Sequence, residues 1–169
     1  MEFTLKTISK AGIPEAISKA ELYRSLNEPE EAESICRDIL AVEPEHQLAL
    51  RLLGLAITDQ FCGDAPDRHR EAGDLFRRLV ERYERLYYTG LLHERRAKAQ
   101  MRVGHPLHAL APLFAEAMRC FAEAEMIHPP YNDDAVLRWN RCARLLQSHP
   151  GFVEEKESEA FDAFDSSPI

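Results

Sequence analysis

One spacing recurs along this chain and limits what it can fold into. Leu50-x-x-Leu53-Gly54-x-x-Ile57 returns as Leu86-x-x-Thr89-Gly90-x-x-His93, with Gly90 36 residues after Gly54, and again as Trp139-x-x-Cys142-Ala143-x-x-Leu146. Ala20 stands 34 residues before Gly54. Steps of three and four residues keep such a stripe on one helix face, and a small residue within it lets a neighbouring helix backbone come close. A second stripe alternates with the first: Ala32, Cys36 and Ile39, then Ala72, Phe76 and Leu79, then Ala117, Phe121 and Ala124. Two alternating stripes predict a series of helical hairpins stacked on one another.

Prolines and glycines place the boundaries. Pro14 and Pro29 stand where a first-turn N–H has no partner to lose, so helices are expected to open there, separated by the polar turn Asn27-Glu28. A third helix is expected over 45–61, closed by Cys62-Gly63, and a fourth from the capping segment 64–67 to about residue 83. A fifth runs to Val103, where Gly104-His105-Pro106 breaks it, and a sixth covers 107–127. After Pro129-Pro130-Tyr131-Asn132 a seventh helix stands alone as a terminal cap. Paired small residues are 12 apart in the first hairpin, 18 in the second and 27 in the third, so the hairpins lengthen at their turn ends.

A chain of 169 residues fits one domain, here 1–153, followed by an acidic tail, 154–169. No apolar run marks a secretory signal or a membrane span, and Cys36, Cys62, Cys120 and Cys142 lack the Cys-x-x-Cys spacing of a metal or redox site. A reduced, cytoplasmic setting is the expectation. The net charge of −8 is unevenly spread: residues 1–67 carry −7, 68–102 carry +5, and the tail carries −5. Opposite signs give the tail, with Phe161 and Phe164, a reason to dock on folded protein, either its own basic middle or a neighbouring copy.

The alternation of Ala20, Ala32, Cys36, Ile39 and Pro44 with Leu50, Leu53, Gly54 and Ile57, at a 34-residue period, resembles the tetratricopeptide repeat over residues 13–149. The resemblance implies an all-α fold, a right-handed α-solenoid of three hairpins plus a C-terminal capping helix. It also implies a non-catalytic adaptor whose first helices line a concave groove for a protein or peptide segment. The lining positions are Ile17, Glu21 and Arg24; Arg51, Leu55 and Thr58; Tyr87, Leu91 and Glu94; and Asn140, Arg144 and Gln147. Arg51, Tyr87, Asn140 and Arg144 are expected to point into one groove. Chaperone-binding members of the family carry Lys and Asn four apart on this face; Ile17 and Glu21 stand there instead, which argues against a chaperone tail.

Other chemistry finds little support in the residues. His93-Glu94 opens like a zinc-protease helix, but Ala97 takes the second His position, and His105 and His108 flank Pro106 without a cysteine or carboxylate beside them. No phosphate loop and no nucleophile elbow is present, so no cofactor, metal or catalysis is expected. Trp139, at a stripe position, is expected in the core. The alternative function is a nucleic-acid-associated or regulatory role for the basic 68–102 region, although Glu71, Asp74, Glu81, Glu84 and Glu94 interleave with its arginines as helix-face pairs.

Overall fold

The computed structural model describes residues 3–149 and Phe152. Seven α-helices form among these residues: α1 Ile13–Ser25, α2 Pro29–Val42, α3 Gln47–Asp59, α4 Pro66–Arg77, α5 Arg82–Arg102, α6 Leu107–Glu125 and α7 Asp134–Gln147. No strand occurs among the described residues, so the chain is all-α. Each helix packs on the next in sequence, and α1, α3, α5 and α7 also touch in order. The expected tail contacts lie outside the described residues.

The two stripes build the core. Ala32, Ala72 and Ala117 are fully buried on α2, α4 and α6, and so are Cys36, Phe76 and Phe121 four residues later. Gly54 and Gly90 receive the two phenylalanines. A Cβ on Gly54 would stand 2.7 Å from Phe76 Cζ, and one on Gly90 would stand 2.7 Å from Phe121 Cε1 and 3.1 Å from the Ala117 carbonyl oxygen. Tyr88 stacks on Phe76 and Tyr87 tilts onto Phe121, closing the contact around each ring.

Caps stop the helices where the sequence has few alternatives. At the end of α1, Asn27 has φ 62° and its N–H bonds to the Arg24 carbonyl, while Glu28 N–H reaches Tyr23 O at 2.9 Å. The same pair of bonds ends α5, with Gly104 at φ 87° and His105 N–H bonding to Gln100 O at 3.1 Å. In both, the left-handed residue lets two orphan carbonyls find donors.

Three expectations are corrected. The fourth helix ends at Arg77 rather than near residue 83. Side chains capture the backbone beyond it: Gln47 Oε1 accepts from Val80 N–H at 2.8 Å, and Arg85 donates to the carbonyls of Leu79 and Val80. Trp139 is 38% exposed rather than core. Ala143 is half-buried, and the buried residues of α7 are Ala135, Cys142 and Leu145. The inward face of α7 is thus rotated by one residue from the stripe seen in α3, which moves Trp139 to its edge.

Candidate functional site

Helices α1, α3, α5 and α7 carry the twelve positions expected to line a groove, and the fold divides them. Ile17, Leu55, Thr58, Leu91 and Glu94 are buried between helices and offer little surface to a ligand. Glu21, Arg144 and Gln147 are exposed, and Arg24, Arg51, Tyr87 and Asn140 are half-buried. Steps of three and four residues put these positions on one helix face, but in a stacked array that face is shared between solvent and the adjacent helix.

Several half-buried charges are already partnered. Asp59, at the end of α3, accepts from Arg24 Nε of α1 and from Arg95 Nη1 of α5. Arg95 also donates to Thr58 Oγ1 and the Leu55 carbonyl, which satisfies an otherwise costly half-buried guanidinium. Arg51 pairs with Glu84 at 2.8 Å. Fully buried Glu94 forms an ion pair with Lys98 one turn on, and Arg138 of α7 stands 3.7 Å away.

A second set joins α2 to α4. Glu33 accepts from Arg68, Arg37 and Gln60, and those bonds, the one from Arg68 foremost, hold its carboxyl well below its ordinary 4.5, at about 2.

One regularity runs through both sets. Hydrogen-bonded charge partners lie 35 residues apart for Arg24 and Asp59, 36 for Arg95 and Asp59, 33 for Arg51 and Glu84, and 34 for Arg37 and Glu71. The partners therefore sit 33 to 36 residues apart, on alternate helices along the chain: α1 and α3, α3 and α5, α2 and α4. Asp59 and Arg95 were not among the expected site residues; an opposite charge 35 or 36 residues away is the signal that would have found them.

Comparison with family models, curated proteins and solved structures finds no match. The surface itself must therefore carry the functional reading.

Arg51 and Tyr87 share a cavity of about 300 Å³ at the α3–α5 end, with Tyr83, Tyr88 and the start of α7 at Asn132 and Asp134 around it. Tyr83 and Tyr87 stack with centroids 5.9 Å apart, and Tyr83 donates to Asn132 Oδ1 at 3.0 Å. Burial pushes the Tyr83 phenol up to about 12, so it stays a neutral donor. Asn140 and Arg144 do not line this cavity. It can hold an apolar or aromatic side chain against the tyrosines, and a carboxylate would reach Arg51 by displacing Glu84, with Glu81 and Asp134 also lining the wall.

Among the described residues no group of three or more His, Cys, Asp and Glu is placed to hold a metal ion, and no helix is long and apolar enough to cross a membrane.

Proposed function

We propose that this chain is a non-catalytic interaction module, a right-handed α-solenoid of three tetratricopeptide-like hairpins with α7 as terminal cap, binding a peptide segment along its inner face. The observation that carries the reading is the one-period pairing of charges: a repeat that stacks hairpin on hairpin brings residues 33 to 36 apart to the same height on adjacent helices. The Gly54–Phe76 and Gly90–Phe121 contacts repeat in the same sense. The Arg51 and Tyr87 cavity is where a peptide carrying acidic and apolar groups would anchor, since Arg and Tyr are residue types that dominate such contacts.

The nucleic-acid alternative has less support. Of the ten basic side chains in residues 68–102, Arg68, Arg78, Arg95 and Arg96 pair with carboxylates of other elements and Lys98 with buried Glu94, while Arg70 and Arg77 have only exposed pairs on their own helix. Phosphate tracking needs cations that are free to exchange counterions.

The test is affinity capture from native cell extract on wild-type protein and on Arg51→Ala. A protein retained by the wild type and lost by the variant supports the reading. Capture of nucleic acid with a steep salt dependence, or a protein retained equally by both, overturns it.

A further inference from the structure

The seam between α4 and α5 holds a cavity of about 390 Å³ that contains none of the twelve groove positions. His69 comes from α4, His93 and Arg96 from α5, and Arg70 and Arg77 stand at the rim; no carboxylate lines it. The two imidazoles lie with ring centroids 5.7 Å apart.

Three buried nitrogens here have no protein hydrogen-bond partner: His69 Nε2, His93 Nδ1 and Arg96 Nε. Only one other buried side-chain polar atom among the described residues shares that condition, Glu94 Oε2. Arg96 Nε is an obligate donor, and each imidazole nitrogen can carry its proton by choice of tautomer. Buried polar atoms without partners are rare because each forfeits its solvation, so three on residues that line one cavity call for an acceptor.

The surrounding charges favour an anion. Arg96 has its Nη2 on Asp64, 2.9 Å away, which leaves the Nε edge for another acceptor. Arg70 and Arg77 pair only with Asp67 and Asp74 of their own helix, in exposed contacts that are weak and easily exchanged. From α6, Glu116 acts on His93 and Arg119 opposes it, and Glu116 is itself bonded to Arg119. Burial holds both histidines neutral near pH 7, with His69 down to about 4, so an incoming anion meets neutral donors backed by guanidinium charge.

We infer that the cavity between α4 and α5 binds an oxyanion, a phosphate or carboxylate group of a ligand, through His69, His93 and Arg96. Thr89 and Leu92 give the remaining wall one hydroxyl and one apolar surface, room for the group to which the oxyanion is attached.

The test is a titration of the full chain with inorganic phosphate, followed by the ring-nitrogen NMR signals of His69 and His93, with sodium chloride at matched ionic strength and sodium acetate as separate arms. Phosphate or acetate should shift both histidines saturably while chloride does not, and whichever binds tighter assigns the source as phosphate or carboxylate. Arg96→Gln should weaken binding by roughly tenfold, the loss of about one charge-assisted hydrogen bond. Arg77→Gln, on the exposed rim, keeps the test open should Arg96→Gln fold poorly, and should weaken binding less. Shifts equal in chloride, or none with either oxyanion, would mean that the nitrogens are satisfied by water alone and would overturn the inference.

Discussion

Gly54 of α3 lies against Phe76 of α4 so closely that a single added methyl would stand 2.7 Å from the ring carbon Cζ. The aromatic ring occupies the volume that a side chain on α3 would need, and the two helices close over it. Gly73, only three residues from Phe76, is different: a Cβ there meets Leu92 Cδ2 at 3.4 Å, an ordinary contact.

The pair makes a signed prediction. Alanine in a helix interior is favoured over glycine by about 1 kcal/mol, so Gly73→Ala should stabilise by roughly 0.5 to 1 kcal/mol. Gly54→Ala meets the ring instead, and overpacking of about 1 to 3 kcal/mol should outweigh the same propensity gain. Thermal melts of the two variants should move in opposite directions; a raised melting temperature for both would show that Phe76 yields without cost.

Trp139 gives a second comparison. With 38% of its surface exposed, Trp139→Ala should cost about 1 to 2 kcal/mol, well short of a core aromatic, whereas Phe121→Ala should cost about 3 to 5 kcal/mol. Urea denaturation of both settles the order, and equal losses would put Trp139 back in the core.

How far the sequence predicted this arrangement differs between its two stripes. The second-helix stripe was legible residue for residue, because Ala32, Ala72 and Ala117 each precede a buried partner by four residues on a face closed from both sides. The first-helix stripe was legible through Gly54 and Gly90 and slipped at α7, whose buried residues are Ala135, Cys142 and Leu145 and where Trp139 turns outward. The groove positions fared less evenly. Periodicity finds a face but not how much of it the neighbouring helix covers, which is why Leu55, Leu91 and Glu94 are buried while Glu21 and Arg144 are exposed.

Acid should weaken the fold in two stages. His69 has its pKa lowered from 6.5 to about 4 by burial, with the charges of Arg96 and His93 adding to it, so the unfolded chain takes up its proton first. Its contribution is complete above pH 6.5 and is lost as pH falls from there toward 4, roughly 1 to 3 kcal/mol in all. Glu33, lowered to about 2, contributes above pH 4.5 and is lost between there and pH 2, roughly 1 to 2 kcal/mol. Denaturation midpoints against pH should fall in both windows; His69→Gln should flatten the upper window and Glu33→Gln the lower, and unchanged profiles would refute the assignments.

The four cysteines should differ sharply in reactivity. Burial raises Cys36 and Cys142 to about 12 and Cys120 to about 11, and all three lie inside the helix stack, while Cys62 is exposed. A maleimide added to native protein should give one label by mass, on Cys62, and denaturation should release the other three. Rapid native labelling of Cys36 would contradict the packing of α1 on α2.

The most direct measurement is the dissociation constant of peptides selected by display against the wild-type chain, determined on wild-type protein and on Arg51→Ala, with melting temperatures to confirm that the variant is folded. Arg51→Ala removes a half-exposed ion pair with Glu84 and should leave the fold standing. If the inner face binds peptides as proposed, the selected sequences should combine acidic and apolar residues and lose roughly tenfold or more in affinity to the variant. Selection of no peptides, or of peptides that bind both proteins equally, would contradict it.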